Sequence, residues 1–143
     1  MDEATRLGYL RLALRVFGLI FVFAVYPLTI LWPSGWAWHA GGQSHYLQMI
    51  MGIYATLGVF LLLAAKDPTR HLSLISFTIW SSVAHGGVMA IQSLANTQHV
   101  GHLYGDVLAL FAVAIVMGWL SPRALTLKFD SDGTVTLGGQ VAH

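Results

Sequence analysis

The stretch Leu72–Leu94, LSLISFTIWSSVAHGGVMAIQSL, decides the fold. It carries no Asp, Glu, Lys or Arg over a length that, at about 1.5 Å per helical residue, crosses the ~30 Å hydrocarbon core of a bilayer. Three further apolar stretches reach a similar length: Tyr9–Leu31, Leu47–Ala65 and Leu103–Leu120. Hydrocarbon offers no partner to an unpaired peptide group, so an open sheet is excluded, and the period-two alternation of barrel strands is missing from all four runs. The prediction is an all-α integral membrane protein with a bundle of four transmembrane helices. Arg6, Arg11 and Arg15 lead into the first run as they would into a signal peptide. No small-residue cleavage pattern follows that run, which reads as an uncleaved first helix.

Composition agrees with this reading. The chain is 56% hydrophobic and 9% charged, against about 25% charged in soluble domains. A net charge of +1 provides no field to attract nucleic acid, which is excluded as a partner. The lipid bilayer is the expected surrounding. Without cysteine there are no disulfides, thiolate metal sites or thiol nucleophiles, so any metal would take His, carboxylate or Met ligands.

The basic residues set the orientation. All seven lie at one end of the expected bundle: Arg6, Arg11 and Arg15 at the first helix, Lys66 and Arg70 between the second and third, Arg123 and Lys128 after the fourth. The positive-inside rule then predicts both termini in the cytoplasm. Trp32, Trp36, Trp38 and Tyr46 lie at the far end, where amphipathic rings favour headgroup depth. Lys66, Asp67 and Pro68 break the chain between helices two and three, which are expected as antiparallel neighbours. Residues 1–122 thus form the membrane domain and 123–143 a cytoplasmic tail. In that tail Leu125, Leu127 and Phe129, then Val135 and Leu137, flank Asp132 and Gly133, a pattern that predicts a short β-hairpin.

Polar residues gather toward the far end. His39, His45, His99 and His102 lie in or beside the two connections that lack Lys and Arg, and Asp106 is the one acid away from the basic end. His85 falls about 16 Å in from Asn96, near the bilayer midplane. Ionisable groups at such depths are costly and mark candidate sites. Thr78, Ser81, Ser82, His85, Met89 and Gln92 form one helical stripe, expected to face the bundle with Ile75, Ile79 and Val83 off it. His99, His102 and Asp106 share a face of the fourth helix. Together these residues predict a funnel with Asp106 and His85 at its floor and Met89 and Gln92 beside them. A divalent transition metal would draw on His102, Asp106, His85, His99 and His45, since imidazole and carboxylate suit such ions. Haem b is a lesser cofactor candidate, as His102 lies about two turns too shallow to pair with His85. The spans show no sign of a broken helix, and no metalloprotease motif, nucleophile elbow or phosphate loop is present. Each polar residue also has a purely structural reading: hydrogen-bonding glue between helices, worth roughly 0.6–2 kcal/mol apiece. Gly101 and Gly105 form a small-xxx-small pair that permits close helix approach, within the bundle or in a homo-oligomer.

Several strings resemble the BphX-like family of small bacterial four-helix membrane proteins. They are Gly52, Tyr54, Gly58 and Phe60; Asp67, Pro68, His71 and Ser73; Phe77, Trp80, Ser81, Ser82 and His85; Met89 and Gln92; and Gly105 and Asp106. The resemblance covers Leu47 to Pro122 and implies a multi-pass protein of the bacterial inner membrane without implying an activity. Three functions fit the residues: a non-catalytic protein that binds a metal or small ligand, as an accessory subunit of a larger membrane complex would; a proton-coupled carrier using His85 and Asp106; or a haem- or quinone-binding redox subunit.

Overall fold

The computed structural model describes residues 2–38, 44–122, 127–129 and 135–137. Four helical stretches are long and apolar enough to cross a membrane: Glu3–Leu31, His45–Ala64, Pro68–Ala95 and Thr97–Leu120. Their outward faces carry Phe23, Ile53, Phe77, Trp80, Ile91 and Ile115, all largely exposed. Such a surface suits lipid rather than water.

The first stretch is α1 (Glu3–Leu19), a π-turn (Ile20–Ala24) and α2 (Val25–Leu31). It begins six residues before Tyr9, because Asp2 caps it by accepting from the Thr5 backbone N–H at 3.3 Å. Pro27 lacks an N–H and would crowd the Phe23 carbonyl in a regular helix, and the wide turn just before it relieves that conflict. A short helix α3 (Pro33–Trp36) follows, then α4 (His45–Ala64), whose N-cap Ser44 accepts from Leu47 N–H at 3.4 Å. A 3₁₀ turn (Pro68–His71) leads into α5 (Leu72–Ala95). The last stretch is broken: a 3₁₀ turn (Thr97–His99), α6 (Gly101–Tyr104), a kink at Gly105, and α7 (Asp106–Leu120). The expectation of unbroken helices is therefore corrected in span four, whereas span one stays continuous through its π-turn.

Helix order around the bundle also differs from expectation. α4 packs on α1, α1 on α7, and α7 on α5, whereas α4 and α5 meet little beyond their connecting turn. Glycines explain the tight α1–α4 crossing: a Cβ on Gly58 would lie 2.7 Å from the Gly18 carbonyl oxygen, and one on Gly18 2.9 Å from that of Gly58. That close crossing draws α4 toward α1 and away from α5. Toward the basic end Leu10, Leu14, Leu61, Ile75 and Met117 fill the centre completely. Arg6 ties α1 to α7 there, donating through its guanidinium to the Trp119 carbonyl near the C-terminus of α7. A cation complements the negative end of a helix dipole.

On α5 the buried stripe is Ile75, Thr78, Ser82, Gly86, Met89 and Ser93, turned toward α7. Ile75 is thus inside, contrary to expectation, because the contact partner is α7 and not α4. Strands β1 (Leu127–Phe129) and β2 (Val135–Leu137) pair antiparallel with Lys128 opposite Thr136. Asp132 and Gly133, the expected turn, lie outside the described residues.

Candidate functional site

The site begins with two glycines. A Cβ on Gly101 would meet the Ser34 carbonyl, and a Cβ on Gly105 would lie 2.2 Å from the Gly35 carbonyl oxygen. Of the two close approaches expected of this pair, the structure shows the one within the bundle, with the α3 backbone packed against both glycines. This contact folds the Trp-bearing connection inward. Trp36 and Trp38 are accordingly half-buried rather than arrayed at an interface, while Trp32 and Tyr46 remain exposed.

Trp38 sits over the histidines. Its indole stacks on His102 with centroids 4.2 Å apart and on His99 at 5.0 Å. The imidazoles are themselves 5.8 Å apart, too close to sandwich the indole, so both cover one of its faces. Its Nε1–H donates to Asp106 Oδ2 at 2.9 Å, and His102 Nδ1 lies 3.0 Å from the same oxygen. Because the indole can only donate, Oδ2 accepts there, and an ionised Asp106 would take its second hydrogen bond from His102 Nδ1–H. Asp106 opens α7 just after the Gly105 kink, where the free N–H groups of a helix start favour an acidic side chain. Asp106 Oδ1 has no hydrogen-bond partner among the described residues, and neither has the buried Nε1 of Trp36.

Trp36, Trp38 and Asp106 line a cavity of about 850 Å³ between the separated helices. Phe17, Phe21, Met51, Val88, Leu110 and Val113 supply much of an apolar wall. The polar groups on it include Trp36, Tyr54, Ser81, His85, Gln92 and Asp106. Phe21 enters the wall from the π-turn, and Tyr54 meets the edge of both Phe21 (5.2 Å, 72°) and His85 (5.9 Å, 77°). An aperture of this size, mostly apolar with a few convergent polar groups, has the character of a small-molecule site.

His85, Asp106, Met89 and Gln92 all line this one cavity. Among the described residues, however, no hydrogen bond or ion pair joins His85 to Asp106, whose polar partners are His102 and Trp38. The five-residue metal set does not assemble. No group of three or more His, Asp or Glu among the described residues is disposed to hold an ion. The reason is visible in the packing: His102 is stacked and bonded, His99 is stacked beside it, and His45 is exposed at the start of α4. His39 lies outside the described residues. His85 is the one histidine on the cavity wall among them, which leaves a bis-histidine haem without its second ligand. Sequence reasoning missed Trp36 and Trp38, since aromatic residues near a span end read first as interfacial anchors, and Tyr54, whose mid-span position sets it apart from no other apolar residue of α4.

Residues 4–136 match a family described as a family of unknown function, DUF6632. That span exceeds the Leu47–Pro122 stretch on which the resemblance to the BphX-like family was based, and no comparison links the chain to the latter. Neither a curated protein nor a solved structure matches the chain.

Proposed function

The chain belongs to the DUF6632 family of unknown function, and from its site we propose a non-catalytic integral protein of the bacterial inner membrane that binds a small lipophilic ligand. Both termini, with the paired tail strands as a hairpin, would face the cytoplasm, and the His/Asp cluster would face the opposite half of the bilayer. One observation carries the reading: a cavity of about 850 Å³ with a mostly apolar wall, interrupted by a few polar residues that include His85, Gln92 and Asp106. A space of that size and character suits a small lipophile, with the few polar groups fixing its orientation.

The test is the lipid extract of the full-length protein purified in mild detergent, read by mass spectrometry. Wild-type protein is expected to retain a lipophile in near-stoichiometric amount. Ala84→Phe, which fills space on the cavity wall, should lose it with an unchanged melting profile. A wild-type extract identical to that of the filled variant would retire the reading.

A carrier is the second reading, and it draws on the irregular backbone of spans one and four beside the cavity. Broken helices flank substrate sites in many transporters. Proteoliposomes given a pH gradient should then accumulate the retained lipophile, and equal accumulation with His85→Leu would remove the proton-coupled form of this reading.

A further inference from the structure

The packing of the bundle leaves one flank of the cavity unsealed. α1 packs on α4 and on α7, and α7 on α5, whereas α4 and α5 separate beyond their connecting turn. Ile50 on α4 and Val88 on α5 line the cavity and are 39% and 57% exposed, as the facing edges of a gap are. At the outer end α3 lies across the bundle against Gly101 and Gly105, and Trp36 joins the wall from it. At the basic end Leu10, Leu14, Leu61, Ile75 and Met117 are completely buried and close the centre. The gap between α4 and α5 is therefore a side opening toward lipid.

That opening has the depth of one leaflet. Along α5 the wall runs from Gln92, three residues before the helix ends at Ala95, to Ser81. The distance is about 16 Å at 1.5 Å per residue, against about 15 Å for half of a ~30 Å hydrocarbon core. The wall is also graded in polarity. Gln92 lies at its outer end and His85 and Tyr54 at mid-depth, edge to face with one another. Phe17, Ile20 and Val113 form its inner end, where the Ser81 hydroxyl is already donating to the Thr78 carbonyl at 3.2 Å. Resting on the ligand-binding reading above, we propose that the occupant is a bilayer lipid of the leaflet opposite the basic end. It enters sideways between α4 and α5, with its polar end near Gln92 and one hydrocarbon chain reaching past His85 to the level of Ser81 and Val113. A transmembrane helix does not suit the same gap, because it continues through both leaflets and the basic half of the bundle is packed solid.

The experiment uses full-length protein in phosphatidylcholine nanodiscs, to which a phosphatidylcholine is added with a photoreactive diazirine either near the glycerol or at the end of one chain. Adducts are mapped by peptide mass spectrometry. The near-head probe is expected to mark Gln92 and Val88, and the chain-end probe Ser81 and Val113. Because the chain has no cysteine, Ile50→Cys with Val88→Cys puts the only thiols at the edges of the gap, where a short bismaleimide bridges them. Bridging before the probe is added should cut the chain-end adducts about tenfold or more, since entry then requires packed helices to part. Bridging after loading should preserve them, with Ile115, exposed on the outside of α7, marked equally in both orders. Val88→Trp narrows the same gap without a bridge and should slow the appearance of the chain-end adducts. Equal adducts in the two bridging orders, or an unchanged rate in Val88→Trp, would overturn entry through the gap. An inner wall free of chain-end adducts while Nile red still binds would overturn the lipid as occupant and leave ligand binding in place. Loss of both lipid adducts and dye binding would remove the binding reading and this inference with it.

Discussion

Asp67 accepts a 2.6 Å hydrogen bond from the Thr69 hydroxyl in the turn between α4 and α5. That bond, with the nearby charges of Arg70 and Arg11 adding to it, holds the Asp67 carboxyl below the usual carboxylate range. A folded-state pKa below the unfolded one contributes stability at pH values above the unfolded pKa, and the contribution is lost as pH falls through the folded value. Thr69→Val removes the leading cause, so carbon-detected titration of the Asp67 carboxyl should show its pKa rise toward the ordinary value; no movement would mean that the hydrogen bond is not the cause. Residues of the candidate site divide in the same way between local and tertiary causes. Asp106 and His85 were legible from the chain, because a charge or imidazole inside an apolar run needs no partner to be noticed. Trp36 and Trp38 were not. Their burial depends on a backbone contact with Gly105, far along the chain, and nothing in a tryptophan's neighbours distinguishes a ring folded inward from one resting at an interface.

Among elements, span number and approximate position were legible because hydrophobic length is a one-dimensional property. Breaks were not, since a kink at Gly105 arises from what the α3 backbone requires of it. Gly105→Ala tests that requirement. Its Cβ would fall 2.2 Å from the Gly35 carbonyl oxygen, whereas a Cβ on Gly87 would meet nothing within 4 Å. Gly87→Ala should be neutral or slightly stabilising, by up to about 1 kcal/mol, on helix propensity alone. Gly105→Ala should instead cost about 1–3 kcal/mol, the usual range for overpacking, and should shift Trp fluorescence as α3 lifts. Denaturation in mixed micelles compares the two directly, and equal stability of the pair would show that α3 tolerates displacement.

At the scale of the whole molecule, the ring of helices runs α4, α1, α7, α5 and does not close along its length. Expecting consecutive helices to be neighbours was reasonable, because a short turn brings their ends together; the glycine crossing of α1 and α4 and the small-residue face of α5 toward α7 outweigh the turn. The proposed membrane sidedness rests on a different property, the absence of Lys and Arg from the Pro33–Tyr46 and Ala95–His102 connections of the sequence. Fusions of alkaline phosphatase and of green fluorescent protein after Trp38 and after Gly133 should report opposite sides, with phosphatase active at the first and fluorescence at the second. Fluorescence at Trp38 together with phosphatase activity at Gly133 would invert the orientation and move the site to the cytoplasmic half.

The contact between Gly35 and Gly105 also has a consequence for biogenesis. The two residues are 70 positions apart, so at ~5–20 residues per second a ribosome makes the second roughly 4–14 s after the first. During that interval the Trp36–Trp38 segment has emerged without the surface on which it finally rests. A nascent chain stalled before its fourth span would therefore contain three helices but no candidate site. On the proposed ligand-binding reading, occupancy would be a property that a chain acquires only once that span is made.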